Sequence, residues 1–281
     1  MKILFLGCGD IAQQTALQLA DQHQCTGLRR NPKNLTADLT AVAADITDPK
    51  QMESVLSQKF DILVVTLTPE EFTEQAYRAA YIAAAESIEI AVAAVKKSPK
   101  LVIWVSSTSV YGDQQGAWVD ESSPPQPTSF SGRILLQAEQ IIKRLPCATT
   151  IVRFSGIYGP GRTRMLNQVR AGKGRPAEPK QWRNRIHSED CAGVLAHLID
   201  LLARGQTVQP IYLASDSEPV TQHQLRSWLA TQMAVKLVEE VAEPSPVRRC
   251  SNRQLLESGY RFKYPTYREG YLSLIRFDRQ A

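Results

Sequence analysis

The first twelve residues constrain this chain more than any other stretch. Lys2-Ile3-Leu4-Phe5-Leu6 is a short apolar run, and Gly7-Cys8-Gly9-Asp10-Ile11-Ala12 continues it as Gly-x-Gly-x-x-Ala, after which a helical pattern begins. A first strand, a tight phosphate-binding turn and a first helix need this order of residues. Gly7 permits the turn, Gly9 lets the backbone approach a pyrophosphate, and the small Ala12 lets helix and strand pack closely. The helix N-terminus then offers free N–H groups and a favourable dipole to an anion. Gly7, Gly9, Asp10, Ile11 and Ala12 are therefore expected to bind a dinucleotide. Glycines also serve ordinary turns, and the strand before and helix after argue against that plainer reading.

The strand–helix theme then repeats along the chain. Ile11 to Ala20 reads as a helix, with Ala12, Ala16, Leu19 and Ala20 on one face. Cys25 to Leu28 reads as a second strand that ends in Arg29-Arg30. Arg29 lies 20 residues after Gly9. An acidic residue near that spacing would hold the ribose 2′-hydroxyl of NAD, whereas arginine accommodates the 2′-phosphate of NADP. NADP is expected over NAD, with Arg29 and Arg30 as its determinants. Ala41 to Asp45 reads as a third strand, Asp48-Pro49 opens a helix, and Asp61 to Thr66 is a fourth strand of the kind buried on both faces of a parallel sheet. Asp45 and Ile46 after strand three, and Thr66, Leu67 and Thr68 after strand four, are expected beside the cofactor by this topology.

A long alanine-rich helix is expected from Glu70 to Lys97, opening with acidic residues and stopping at Ser98-Pro99. Leu101 to Val105 reads as a fifth strand leading into Ser106-Ser107. Pro124 to Ser129 reads as a loop, Ile134 to Leu145 as a helix face ended by Pro146, and Thr149 to Phe154 as a sixth strand. The alternation implies an α/β fold, a doubly wound parallel Rossmann sheet over residues 1–154. Residues 155–281 read as a smaller substrate-binding region, partly interwoven with the sheet, with helices near Glu189–Leu202 and Thr221–Met233 and a strand near Ile211–Ala214.

Composition bears on the partners. The chain has 281 residues, is 43% hydrophobic and 22% charged, and carries a net charge of +5. These values are ordinary for a globular protein and no motif points to nucleic acid. No apolar run approaches a membrane span. The five cysteines are scattered and form no C-x-x-C pair, which argues for reduced thiols in a cytoplasmic protein and against a zinc or other metal site. Positive charge is concentrated between Arg162 and Arg185. Arg162, Arg164, Arg183 and Arg185 are expected to face a small anionic substrate; a solvated basic loop is the plainer alternative.

Several segments together resemble the extended short-chain dehydrogenase/reductase superfamily, the group of nucleotide-sugar epimerases and dehydratases. Ser107-Thr108-Ser109-Val110-Tyr111-Gly112 is similar to its strand-five motif. Arg153-Phe154-Ser155-Gly156-Ile157-Tyr158-Gly159-Pro160-Gly161-Arg162 resembles its R-x-x-x-x-Y-G-P-G-R segment, and Arg185-Ile186-His187-Ser188-Glu189-Asp190 its H-V-x-D segment. The resemblance covers nearly the whole chain. It implies a nicotinamide cofactor, with Ser106 and Phe154 beside it, and a sugar-nucleotide or other small substrate approached by Tyr111 and Tyr158. It also implies a homodimer formed by two helix pairs.

In that family a serine, a Tyr-x-x-x-Lys pair and an asparagine on the long helix make up the catalytic set. The tyrosine exchanges a proton with the substrate hydroxyl, the lysine lowers its pKa, and the serine hydrogen-bonds the substrate oxygen. Ser107 matches the serine. Glu139 matches the glutamate that trails the pair, and counting back from it puts Ser131 at the tyrosine and Leu135 at the lysine. A shifted register would offer Ser129 and Arg133, and neither register restores the pair. Tyr81 stands where asparagine is expected, so the phenol of Tyr81 is the candidate replacement, with core packing as its alternative. His187 and Asp190 are expected in structural roles at a helix start. Two readings stay open: an oxidoreductase or epimerase with a displaced proton donor, and a catalytically silent NADP-binding protein.

Overall fold

The computed structural model describes residues 1–241 and 245–278. Seven strands form one sheet: β1 (Lys2–Leu6), β2 (Gln24–Arg29), β3 (Thr40–Ala43), β4 (Ile62–Val65), β5 (Leu101–Ser107), β6 (Ala148–Phe154) and β7 (Ile211–Ala214). Their order is β7-β6-β5-β4-β1-β2-β3. The pairings of β1 with β2 and β4, of β2 with β3, and of β4 with β5 are all parallel. Ile3 to Leu6 and Ile62 to Val65 are buried throughout, which is why both strands read as unbroken apolar runs. The strand order reverses between β1 and β4, and in open α/β sheets ligands bind at the carboxyl ends of the strands at such a point. This is the doubly wound fold that the sequence implies.

The helices are α1 (Asp10–Leu19), α2 (Pro49–Leu56), α3 (Glu74–Tyr77), α4 (Ala83–Ala94), α5 (Phe130–Ile142), α6 (Arg164–Arg170), α7 (Ser188–Ala203), α8 (Gln222–Met233), α9 (Arg253–Glu257) and α10 (Tyr267–Asp278). Asp48 caps α2 as its position before proline requires, accepting from the N–H groups of Lys50 and Gln51. The long helix differs from its sequence reading at the start. Thr73 is the N-cap, its hydroxyl accepting from Ala76 N–H, so residues 69–73 are a loop and Glu70 lies outside the helix. Between α3 and α4 a π-helical turn, Arg78–Ile82, carries Tyr81 and Ile82 into the buried side. Such turns bend a helix locally and recur at functional positions. α4 and α5 pack against each other.

The chain forms two compact units. Unit 1 comprises Met1–Val110, Ser129–Arg153 and Ala192–Tyr212, and unit 2 comprises Tyr111–Thr128, Phe154–Cys191 and Leu213–Ala281. The chain passes between them several times. Unit 2 has short strand pairs, Gly156–Tyr158 with Arg185–His187 among them. Its core gathers Tyr158, Leu166, Val169, Leu225, Leu229, Tyr267 and Tyr271 from that pair and from α6, α8 and α10.

Candidate functional site

The turn after β1 is held from β4. Gly7 has φ +72°, and a Cβ there would lie 2.7 Å from Thr66 O and 2.8 Å from Leu67 Cδ2. Only glycine fits both the backbone conformation and the space. Thr66 Oγ1 donates to Gly7 O at 3.1 Å, and Thr66 N–H donates to Leu6 O at 2.9 Å. Leu67 and Thr66 therefore form the floor of the turn.

Gly9 shows the opposite surroundings. It is the N-cap of α1, with extended backbone and no side-chain cap, and a Cβ there would meet nothing closer than Gly7 O at 3.7 Å. Gly9 brings no side-chain cap to the N–H groups of this helix N-terminus. An anion satisfies such groups. Ala12 is fully buried and lets α1 lie close to the sheet. Asp10 and Ile11 begin the helix.

Arg29 ends β2 and is exposed, with Arg30 next to it. The Arg30 guanidinium donates to Glu70 Oε1 at 2.6 Å, and both side chains are exposed. Asp45 turns its carboxylate to its own loop, accepting from Thr47 N–H at 2.9 Å and Thr47 Oγ1 at 2.7 Å. Ile46 is half-buried and Thr68 exposed.

At the end of β5 the two serines differ. Ser107 is half-buried, and its Oγ accepts from Ser109 N–H at 3.2 Å. This bond uses a lone pair and leaves the hydroxyl proton available to an acceptor. Ser106 is buried and donates to Glu139 Oε1 at 2.6 Å. Its hydroxyl is thereby committed to the Glu139 carboxylate. Arg153 holds the same carboxylate with Nε at 3.0 Å and Nη2 at 2.6 Å. Both side chains of this pair are fully buried. Sequence reasoning used Glu139 as a marker of register and Arg153 as the head of a motif, and missed that they pair. The signal was present: two charges in otherwise apolar elements need each other.

The start of α5 is closed. Ser129 caps it, accepting from Gly132 N–H at 3.1 Å, and its Oγ lies 3.0 Å from Ser131 Oγ. Ser131 and Leu135 are buried, and Arg133, which the shifted register offers, is exposed. Tyr81 is 9% exposed. Its hydroxyl donates to Leu67 O at 3.2 Å, and its ring meets Tyr77 and Trp104. Burial pushes its ionisation well above the ordinary phenol range. These contacts are those of the packing alternative: the phenol anchors the loop that floors the Gly7 turn.

In unit 2 the expected residues separate by environment. Tyr111 and Phe154 are buried. Tyr158 is buried too, stacked on Tyr271 with ring centroids 4.3 Å apart, and burial raises its pKa. Arg164 is exposed and Arg162 half-buried. Arg183 donates to Trp182 O at 2.8 Å and to Pro246 O at 3.4 Å, and its other nitrogen binds Ser245 Oγ. Arg185 lies with its guanidinium carbon 6.0 Å from the Tyr271 ring centroid. His187 is buried, its Nδ1 accepts from Glu189 N–H at 3.2 Å, and burial lowers its pKa to about 4. Asp190 accepts from Tyr260 Oη at 2.9 Å, Lys263 N–H at 2.7 Å and Tyr264 N–H at 3.0 Å. Asp190 thus ties the helix start to residues 260–264, and the His187 ring lies 4.1 Å from that of Tyr264 between centroids.

Comparison with known proteins adds the lineage. The family model described as the RmlD substrate binding domain matches residues 1–275. A candidate NAD-dependent epimerase/dehydratase from Methylobacillus flagellatus has a similar structure, with TM-score 0.82 and 34% identity over 99% of this chain and 98% of that one. A functionally unknown conserved protein from Silicibacter pomeroyi is similar at TM-score 0.73 and 28% identity, over 98% of each chain. Protein YeeZ of Escherichia coli is 39% identical over 99 residues. That stretch spans 35% of this chain and 35% of YeeZ.

Proposed function

We propose, for a chain that belongs to the RmlD substrate binding domain family, that it binds NADP(H) and acts as an epimerase/dehydratase-like oxidoreductase on a sugar-nucleotide or other small anionic substrate. The observation that carries the cofactor half is the glycine N-cap of α1, which brings no side chain over the helix N-terminus, behind the Gly7 turn at the point where the strand order reverses. Gly7 to Ala12 would hold the pyrophosphate, Arg29 and Arg30 the 2′-phosphate, and Asp45, Ile46, Thr66, Leu67 and Thr68 the flanks. When bound, the nicotinamide supplies or accepts hydride. The chain's own part is to position substrate: Ser107 has a proton to donate to a substrate oxygen, and the arginines of 162–185 offer paired donors to phosphate or carboxylate. A homodimer through the α4–α5 side is part of this proposal, supported by Ile90 of α4, 55% exposed.

A second reading has its own observation. Ser131 and Leu135 are buried where a phenol and an amine would be needed, and the Tyr81 hydroxyl is engaged by Leu67 O. These favour a catalytically silent NADP-binding protein. One experiment addresses the part common to both. Replacing Arg29 and Arg30 together by Ala should weaken NADPH at least tenfold, by loss of charge-assisted bonds of ~1.5–3 kcal/mol, and leave NADH unchanged. Equal loss for both cofactors would remove the NADP assignment.

A further inference from the structure

The sheet order places β1 between β2 and β4. Arg30 directly follows β2 and Glu70 lies in the loop after β4. Their contact of 2.6 Å therefore crosses the carboxyl end of β1, where the Gly7 turn begins. The β4–α3 loop is fastened at two further points. Leu67 O is held by the Tyr81 hydroxyl, and Phe72 packs against Phe130 and Tyr77, with ring centroids 5.1 and 5.5 Å apart. Those two are a partly buried hydrogen bond and an aromatic contact. The Arg30–Glu70 pair differs from both: its side chains are 69% and 74% exposed. An ion pair in that setting is weak and readily exchanged.

We infer that Glu70 is a specificity-determining residue: its carboxylate occupies Arg30 in the place of a cofactor 2′-phosphate and must be displaced when NADPH binds. This rests on the NADP reading above. A 2′-phosphate carries more charge than a carboxylate and can take both Arg29 and Arg30, so it wins the exchange. A cofactor with a bare 2′-hydroxyl has nothing to offer Arg30 in return and leaves the pair closed. Glu70 thus lowers NADPH affinity without touching NADH, and narrows the preference that the two arginines set.

The test is a set of dissociation constants for NADPH and NADH at low ionic strength, read by tryptophan fluorescence or calorimetry, which need no turnover. Glu70→Gln should tighten NADPH about two- to fivefold, the range set by an exposed pair, and leave NADH unchanged. In an Arg30→Ala background the same substitution should have no effect on NADPH. Glu71→Gln removes the same charge one residue along and should leave the ratio of the two cofactors as it was. The inference is overturned if Glu70→Gln leaves NADPH affinity unaltered, if its effect persists without Arg30, or if Glu71→Gln reproduces it. A native protein that binds the two cofactors equally would sink the NADP reading by itself. The Glu70 assignment would then stand only if Glu70→Gln turned equal binding into a preference for NADPH.

Discussion

The turn after β1 and the first turns of α5 both lie under segments that resemble the same superfamily, yet their surroundings differ. Around Gly7–Ala12 the backbone is pinned from below by Thr66 and Leu67, while Gly9, the N-cap of α1, brings no side-chain cap to the helix. At α5 the cap is made by Ser129 within the chain, and Ser131 and Leu135 are buried. The first is capped by a residue without a side chain, the second by a hydroxyl of its own chain. Glu139 sharpens the contrast, since it retains the family position on α5 while its carboxylate is consumed by Arg153 and Ser106.

The largest expected effect tests whether Glu139 is structural. Glu139→Ala leaves Arg153 charged and fully buried without its partner, which should cost about 3–5 kcal/mol of stability. Urea unfolding measures this, and a loss under about 1 kcal/mol would mean that the pair is dispensable. Gly7→Ala comes next. A Cβ 2.7 Å from Thr66 O at φ +72° should cost about 2 kcal/mol or more and weaken NADPH at least tenfold. Retained affinity would show that the turn does not hold the cofactor.

His187 separates the retained motif of unit 2 from a titrating site. Its folded pKa is about 4, against an ordinary value near 6.5. As pH falls through that window the unfolded chain takes up the proton first, so stability falls between pH ~6.5 and ~4 and is unaffected above it. The contribution is at most ~1.4 kcal/mol per pH unit. His187→Asn should flatten the slope by that amount, measured as denaturant midpoints against pH. An unchanged slope would place the imidazole in contact with solvent. The smallest effect belongs to the start of α5. Ser131→Ala should cost about 1 kcal/mol or less and leave NADPH affinity unaltered. A tenfold loss of affinity there would make that region part of the cofactor site after all.

Much of this molecule was legible from local pattern. Strands such as Ile62–Val65 announce themselves as apolar runs because both faces are covered, and Asp48-Pro49 names its own helix start. The phosphate turn was legible because glycine at position 7 answers a backbone constraint. What escaped was set by partners distant in sequence. The start of the long helix moved from Glu70 to Glu74 because Thr73 takes the cap, and that shift is what frees Glu70 to reach Arg30, 40 residues away. Tyr81 looked like a spare phenol from its alignment alone. Its commitment to Leu67 O depends on the π-helical turn that carries it inward, which no spacing rule foretells. The pairing of Glu139 with Arg153 likewise joins α5 to β6, and the two residues are adjacent only once the sheet has formed.

The proposed function makes the turn after β1 a dinucleotide site with a preference written by Arg29 and Arg30. Calorimetric titration of the native protein with NADPH and with NADH, under the same buffer and at about 0.1 M salt so that charge is only partly screened, tests this most directly. The expected result is one NADPH bound per chain, at least tenfold tighter than NADH. Binding of neither cofactor, or of both with equal affinity, would contradict it.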